Sequence, residues 1–489
     1  MGRSKSTMIT AEMSVSPETV PLCVDLDGTL VRTDTLMESV LLLIKLQPWA
    51  VLLMPFWLLR GRAAFKQRIA EQVSVEPETL PYNDSFLEFL RGEHSAGRCL
   101  VLATGSNSSI ANAVARELGI FQRVMGSTTD ANLSGQRKAE ALVAEFGSRG
   151  FDYAGNALRD VPVFAESRNA ILVNPAPGLG SRTRRGDAEV RIFDDRSQSV
   201  PARYLSAIRV HQWLKNVVVF GPLILAHRIS EPNMIAAALL AFVSFCLCAS
   251  SVYLLNDLLD LSDDRRHPTK RERALASGRV SLLGAAVLAV VLLALAFGLA
   301  LTLPVEFIGV LAFYYLVTLL YSFRFKSSAP SDVLVLAGLY TLRIIAGASA
   351  VSVEPSFWLL AFSMFLFLRL ALAKRYTGLK RLAMGGDAEG GDRGYRVADL
   401  ELLSQFGISS AFAAVTVLAL YINSDAIREL YGRPEMIWLL CPLLLYIVSR
   451  LWLLARRGEL DEDPVVFAMR DIRTHAAVAA GLVLLWLAT

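Results

Sequence analysis

The chain has 489 residues, of which 54% are hydrophobic and 19% charged, with a formal net charge of +4 and a mean hydropathy of +0.44. This balance excludes an ordinary soluble globular protein and a disordered one, and leaves a membrane protein with room for two or three domains. The small positive charge suits a protein beside anionic lipid headgroups, and no nucleic-acid partner is expected. Five cysteines show no CxxC spacing and no secreted disulfide framework. The first twenty residues are polar, so a cleavable signal peptide is not expected.

Residues 1–178 read as a soluble α/β domain. An apolar strand over 20–24 runs into Asp25-Leu26-Asp27-Gly28-Thr29. The turn after a strand is where such domains gather ligands. Two aspartates two residues apart offer one carboxylate to attack and one to handle protons, and the glycine lets the backbone approach a phosphate. The apolar run from Leu36 to Lys66 is broken by Lys45, Gln47 and Pro48, so it is too short to span a bilayer and reads as a small helical cap. Its Trp49, Phe56 and Trp57 beside Arg60, Arg62 and Lys66 suit an interfacial position, although ordinary cap packing accounts for them equally well.

A second strand over 99–102 leads to Thr104-Gly105-Ser106, and Lys138 follows in NLSGQRKAEAL. A third strand, 151–154, runs into Gly155-Asn156-Ala-Leu-Arg-Asp160. Together these motifs resemble the haloacid dehalogenase (HAD) phosphohydrolase superfamily. The resemblance implies that Asp25 attacks phosphorus, Asp27 serves as acid and then base, Thr104 binds the phosphoryl group and Lys138 neutralises it. It further implies Mg²⁺ at Asp25, Asp27, Asn156 and Asp160. Asn156 stands where the family usually carries an acid, which bears on metal affinity more than on the chemistry.

Residues 179–203 are polar and basic and read as a linker. Residues 204–489 then read as an all-α polytopic membrane domain of about nine spans, near 207–226, 233–255, 281–302, 305–322, 333–351, 356–373, 404–421, 436–454 and 472–488. At the end of the second span, Asn256, Asp257, Asp260 and Asp264 fall on one face of a helix. Stacked carboxylates repel unless cations sit between them, and hard oxygen ligands suit Mg²⁺ bridging to substrate phosphates. The plainer alternative is a solvated acidic helix end. Basic residues follow at once in Arg265-Arg266-His267-Pro268-Thr269-Lys270-Arg271. Arg343 lies within an apolar segment, where it needs a partner or a polar cavity.

The pattern NDxxDxxxD resembles the first aspartate-rich motif of the UbiA superfamily of intramembrane prenyltransferases. Aromatic prenyltransferases of that superfamily carry a second acidic motif after the sixth span, where this chain has Lys374-Arg375. RVHQWLKN, NDLLDLSDDRRHPTKRERALASG, YSFRFK and LALAKR together resemble the decaprenyl-phosphate phosphoribosyltransferase family. That resemblance implies a polyprenyl phosphate acceptor and 5-phosphoribosyl-1-diphosphate (PRPP) as donor. Asn256, Asp257, Asp260 and Asp264 would hold Mg²⁺ on the diphosphate, with Asp257 and Asp260 central to catalysis. Lys215, Lys270, Arg271, Tyr321, Lys326, Lys374 and Arg375 would contact substrate. Gly378 departs from the acid expected after LAKR, so no role is given to that position.

A HAD domain on the same face would remove the 5′-phosphate of the product. The alternative is an aromatic prenyltransferase using a prenyl diphosphate, with a HAD domain that is regulatory or acts on another lipid phosphate. If the acidic loop is cytoplasmic, the basic loops share its side, and the opposite loops hold only Arg228, Arg428 and Arg433. The expected location is the cell membrane, with both active sites cytoplasmic and the C-terminus outside. A homo-oligomer is compatible with the sequence.

Overall fold

The computed structural model describes residues 20–488 except 129–131, 184–188, 197, 386–390, 425–426, 428–430, 461–466 and 469. Arg428 and part of the 179–203 segment lie outside the described residues. The chain forms two compact units. One joins the residues up to Ala207 with Leu254–Val287, and the other joins Ile208–Tyr253 with Leu288–Thr489.

The first unit is built on a six-stranded parallel sheet. Its strands are β1 (Leu22–Val24), β2 (Leu100–Asn107), β3 (Arg123–Ser127), β4 (Asp152–Gly155), β5 (Ala170–Val173) and β6 (Val190–Phe193), in the order β3-β2-β1-β4-β5-β6. Leu22 lies opposite Leu100 on one side and Asp152 on the other. Successive side chains on a strand point to opposite faces, and both faces are covered here. Leu22, Val24, Leu100 and Leu102 pack into one core, while Cys23, Val101, Ala103 and Tyr153 pack into the other. Strand order reverses at β1, so the loops after β2, β1 and β4 meet at the sheet's carboxyl edge, at a switch point.

β6 falls inside the segment read as a linker. Val190, Arg191, Ile192 and Phe193 pair with Ala170, Ile171, Leu172 and Val173. Phe193 packs on Phe86 and Phe89, and the Arg191 guanidinium covers the Phe89 and Phe193 rings. Aromatic and β-branched residues drive this pairing despite the charges around them. The soluble domain therefore extends beyond residue 178.

The cap consists of α1 (Thr35–Leu46), a 3₁₀ turn (Pro48–Leu52) and the helices Met54–Leu59 and Arg62–Ala70. α1 starts at Asp34, whose carboxylate accepts the backbone N–H of Met37. Leu43, Ala50, Ile69 and Val73 form its small core. Trp49, Leu52, Phe56 and Leu59 are exposed.

Among the described residues, seven helices are long and apolar enough to cross a membrane: Pro232–Leu259, Leu282–Ala300, Val305–Phe323, Ser331–Ala350, Phe357–Met384, Val397–Ile422 and Pro434–Arg457. The last of the nine expected spans, Ile472–Ala488, is a shorter apolar helix. The first is not a continuous α-helix. It folds as a 3₁₀ helix over Val210–Phe220 followed by the short helix Gly221–Leu225. Three consecutive valines (Val217, Val218 and Val219) disfavour an α-helix, and Pro222 cannot continue one from the preceding turn.

Candidate functional site

Asp25 and Asp160 sit on the loops after β1 and β4, Thr104 lies in the second half of β2, and all three are buried. Lys138 reaches them from the helix Gln136–Phe146 and is only 2% exposed. Its Nζ donates to Asp25 Oδ1 at 2.9 Å and to the Tyr153 hydroxyl at 2.9 Å, and lies 3.6 Å from Asp160 Oδ1. Burial works against the ammonium, but Asp25 and Asp160 outweigh it and hold the Lys138 pKa above its ordinary value. Thr104 Oγ1 accepts the Ser106 N–H at 3.0 Å, which leaves its proton to donate to a phosphoryl oxygen.

The Asp27 carboxylate faces another way. Oδ1 accepts the backbone N–H and the hydroxyl of Thr35, each at 2.8 Å, and Oδ2 accepts the Ser106 hydroxyl. Burial, then the charge of Asp34, raises Asp27 to about 6 against the pull of those hydrogen bonds. A carboxyl tuned this way suits acid/base work near neutral pH. Both Asp27 carboxylate oxygens thus accept hydrogen bonds from Thr35 or Ser106.

Three other oxygens do fit a hard cation. Asp25 Oδ2, Asn156 Oδ1 and Asp160 Oδ1 are buried without a hydrogen-bond partner. An uncompensated buried carboxylate oxygen is costly, and Mg²⁺ is the ion that such a donor set takes. Among the described residues no group of three or more His, Cys, Asp or Glu side chains forms a preformed metal cage. The reason is local: the third oxygen comes from an amide, and Lys138 already lies beside two of the acids. Asn156 also packs against the turn. A Cβ on Gly28, at φ +74°, would lie 2.1 Å from its Nδ2. Asp160 is raised by burial and by the charge of Asp25.

The sequence reading missed Thr35, Ser106 and Lys66 at this site. Lys66 Nζ donates to the Gly105 carbonyl at 2.6 Å and to Asn132 at 3.0 Å, beside Thr104. Ser106 stood two residues after Thr104 in the motif, whereas nothing local to Lys66 signalled its reach.

The acidic motif lies where the helix Pro232–Leu259 gives way to the helix Leu261–Arg266. Asp260 breaks the helical backbone at φ −102°, ψ 19°, so the expected single helix is kinked there. The ladder nevertheless continues, since Asp260 N–H donates to Asn256 and Asp264 N–H donates to Asp260. The acids therefore stay close in sequence and along the chain path. Asp257 and Asp264 are buried, and Arg273 Nη1 reaches both, at 3.4 and 2.6 Å. Asn256, Asp257, Asp260 and Asp264 all carry oxygen donors of the kind Mg²⁺ takes, but their three carboxylates do not converge into a preformed metal-binding group. Lys270 is half-buried and Arg271 exposed on the following turn.

The remaining expected substrate contacts belong to the second unit. Lys215 lies on the 3₁₀ helix Val210–Phe220, Lys326 on the turn Phe325–Ser327, and Lys374 on the helix Phe357–Met384, all half-buried. Arg375 is different. Its Nε donates to Asp332, and its Nη2 donates to the Tyr321 hydroxyl at 3.2 Å. Arg393 also donates to Tyr321, at 3.0 Å. Arg375 is therefore committed to a protein carboxylate.

Arg343 is buried and hydrogen-bonded to Asn216 at 2.8 Å, the Leu339 carbonyl at 2.6 Å and Tyr314 at 3.0 Å. The rings of Tyr314 and Tyr340 lie within cation–π range. Arg369, which the sequence reading passed over, is buried with Nε and Nη1 lacking a hydrogen-bond partner. In the same unit, a groove of ≈ 530 Å³ is lined by Val333, Leu334, Phe365, Leu368, Leu372 and Phe406 among others. Its walls are chemically suited to hydrocarbon.

Comparison with known proteins gives two family matches. The UbiA prenyltransferase family matches residues 217–470, and the haloacid dehalogenase-like hydrolases match residues 22–165. Uncharacterized protein y4nM of Sinorhizobium fredii is 36% identical over 96% of this chain and 91% of its own length. Nodulation protein NoeC of Azorhizobium caulinodans is 34% identical over 58% of this chain and 92% of its own. Decaprenyl-phosphate phosphoribosyltransferase of Mycolicibacterium smegmatis is 37% identical over 36% of this chain and 57% of its own. The kinked acidic motif on apolar helices and the Asp25–Lys138 pair on a parallel sheet thus each find their family: this integral membrane protein belongs to the UbiA prenyltransferase family and carries an N-terminal haloacid dehalogenase-like domain.

Proposed function

We propose that the protein transfers 5-phosphoribose from PRPP to a polyprenyl phosphate and then removes the 5′-phosphate, yielding a polyprenylphosphoryl ribose for cell-envelope synthesis. The carrying observation is the charge pattern of the membrane part. One acidic motif is followed by Lys270, Arg271 and Arg273, and Lys374-Arg375 replaces a second acid pair. An anionic acceptor is served by cations, whereas a second diphosphate-metal site would need acids. The similarity to a protein named decaprenyl-phosphate phosphoribosyltransferase points the same way.

In this reading an oxygen of the lipid phosphate attacks C1 of PRPP, the bond from C1 to the diphosphate oxygen breaks, and pyrophosphate leaves. The acceptor is already ionised, so no general base is required. Mg²⁺ held by Asn256, Asp257, Asp260 and Asp264 would offset the charge of the leaving group. Lys215, Lys270, Lys326 and Lys374 are the cations we assign to phosphate oxygens, with Arg271 at the exposed rim and the Tyr321 hydroxyl beside the donor. Arg375 holds Asp332 instead.

In the HAD domain, a carboxylate oxygen of Asp25 attacks the 5′-phosphorus and the ester bond to the ribose oxygen breaks. Asp27 gives that oxygen its proton. Asp27 then takes a proton from water, which cleaves the aspartyl phosphate and frees inorganic phosphate. Lys138 and the Thr104 hydroxyl neutralise and orient the phosphoryl oxygens. The exposed Trp49, Leu52, Phe56 and Leu59 suit a cap that rests among lipid headgroups, where such a product would be met at high effective concentration. We assign both sites to the cytoplasmic face from the distribution of basic loops.

The test is mass analysis of lipid products from purified protein given Mg²⁺, PRPP and decaprenyl phosphate. Lipid-linked ribose from the wild type, its 5′-phosphorylated form from Asp25→Asn, and neither from Asp260→Ala are the expected results. Turnover of a prenyl diphosphate with an aromatic acid, and none of PRPP, would overturn the proposal.

A further inference from the structure

The acidic motif does not stand alone in its unit. It packs against the phosphatase cap, and α1 makes most of the polar contact. Glu38 is 7% exposed and receives Arg265 through a two-point fork, Nη2 to Oε1 at 2.6 Å and Nη1 to Oε2 at 3.1 Å. Thr33 donates to the same Oε1 at 2.7 Å, which fixes the carboxylate from behind. Arg265 in turn donates Nε to the Ala276 carbonyl at 2.8 Å, closing the loop that follows the motif. In the last turn of α1, Lys45 Nζ lies 2.7 Å from Asp263 and 3.9 Å from Asp260.

Further contacts hold the same two surfaces together. Arg266 pairs with Glu76, and Gly278, at φ +71°, lies so close to Arg32 that a Cβ there would come within 2.6 Å of the arginine Cβ. A fork between two buried charges is geometrically exacting, and its loss leaves a buried charge unpaired. The pairs bracket the acids. Arg265 follows Asp264 directly, and Lys45 meets the kink residue Asp260 and Asp263 just after it. The other end of α1 is Thr35, which holds Asp27. One twelve-residue helix thus reaches from the phosphatase's acid/base residue to the transferase's acidic motif.

We propose that α1 of the phosphatase domain is a working part of the transferase's diphosphate site, with Glu38 and Lys45 as positioning residues. Glu38 fixes Arg265, and Lys45 fixes Asp263, so that Asp260 and Asp264 present their oxygens to a Mg²⁺-diphosphate in one register. This rests on the reading of the acidic motif as the donor diphosphate site. It gives the fusion a second purpose: the HAD domain shapes the transferase as well as consuming its product.

Two readouts test it. In turnover with PRPP, Glu38→Gln should raise the donor KM by about tenfold with a much smaller change in kcat. Lys45→Met should raise it in the same direction. The charge-swapped pair Glu38→Arg with Arg265→Glu should recover much of the loss. Hydrolysis of a small soluble phosphate monoester by Glu38→Gln should match the wild type.

The second readout needs no assumed donor. Mn²⁺ binding in the presence of inorganic pyrophosphate is followed by electron paramagnetic resonance, with Asp25→Asn and Asp160→Asn clearing the phosphatase site. Glu38→Gln should weaken the remaining site by a similar factor, and Asp260→Ala should abolish it. Unchanged binding in a folded Glu38→Gln protein would overturn the proposal. So would a parallel fall in thermal stability and both activities without recovery in the swapped pair. Weakened Mn²⁺-pyrophosphate binding in a protein that never turns over PRPP would uphold the positioning role and sink the choice of donor.

Discussion

Arg375 and Asp332 form a buried ion pair, with Nε donating to Oδ2 at 2.5 Å and the Tyr395 hydroxyl donating to Oδ1 at 2.6 Å. Asp332 is 0% exposed, so these partners meet its carboxylate in place of water. Burial, and the carboxylate it bonds, raise the Tyr395 pKa, so that hydroxyl keeps its proton to donate. Tyr395 lies on the hairpin Gly391–Asp392/Tyr395–Arg396, which the pair therefore ties to the helix ends. A structural pair of this kind and a substrate contact have opposite signatures in mutation.

Arg375→Ala should lower stability by about 3–5 kcal/mol, because it strands the Asp332 carboxylate. Adding Asp332→Asn to Arg375→Ala should restore a large part of that. Lys374→Ala, by contrast, should slow transfer while leaving unfolding unchanged. Thermal unfolding in detergent, beside transfer rates, separates the two neighbours; a wild-type melting temperature for Arg375→Ala would remove the structural role.

Asn156 offers an unpartnered amide oxygen where a carboxylate would bind metal more strongly. Asn156→Asp should therefore lower the Mg²⁺ concentration for half-maximal phosphatase activity by about tenfold, the effect of one added ligand charge of order 1.4 kcal/mol. A Mg²⁺ titration of phosphate release measures it. No shift in the midpoint would mean that residue 156 does not meet the metal.

Gly28 has little freedom to change. At φ +74° an L side chain is strained, and its Cβ would collide with Asn156 Nδ2. Gly28→Ala should abolish phosphate release, yet leave transfer to the lipid intact, so that the 5′-phosphorylated lipid accumulates. Dephosphorylated product at the wild-type rate would contradict the crowding seen at this turn.

Acid should act on the phosphatase sheet through Asp152. Arg168 donates to it at 3.1 and 3.0 Å, Arg98 donates to the same carboxylate, and the Asn169 N–H donates at 3.0 Å. Burial opposes the charge, but the two guanidinium groups outweigh it and depress the Asp152 pKa. A depressed folded-state value stabilises the fold above the ordinary aspartate range of about 4, and that contribution disappears as pH falls through the folded value. The melting temperature should fall more steeply below about pH 4 in the wild type than in Asp152→Asn. At pH 7 the variant should be less stable by about 1–3 kcal/mol. Identical slopes in acid would show that Asp152 titrates alike in both states.

Much of the phosphatase site was legible because Asp25, Thr104 and Asp160 each come at or just past the end of an apolar strand core, and the reversal of strand order at β1 brings those ends together. The partners of the Asp27 carboxylate, Thr35 and Ser106, were not legible, since they come from a helix start and another strand. β6 was hidden by the charges flanking Val190–Phe193, and its partner strand β5 is recognisable only once the sheet exists. In the membrane part, hydropathy located the long helices but could not show that Val217–Val219 and Pro222 turn the first one into a 3₁₀ segment. Arg375 looked like a phosphate contact because Asp332, forty-three residues earlier, bears no local mark of pairing with it. Glu38 was the least visible, an acid inside an apolar run whose partner lies 227 positions away.

The partners of Arg343 have an order in the chain. Asn216 and Tyr314, whose side chains satisfy the guanidinium, are both synthesised before it, and the Leu339 carbonyl comes from its own helix. An arginine stays charged and is expensive to leave bare in hydrocarbon. As the helix Ser331–Ala350 leaves the ribosome, every group needed to receive that charge has already been made. Biogenesis can then proceed from the N-terminus without a step in which a naked guanidinium waits in the bilayer for a later segment. A circular permutant that moved Asn216 behind Arg343 would keep all the final contacts and lose that sequence of arrival.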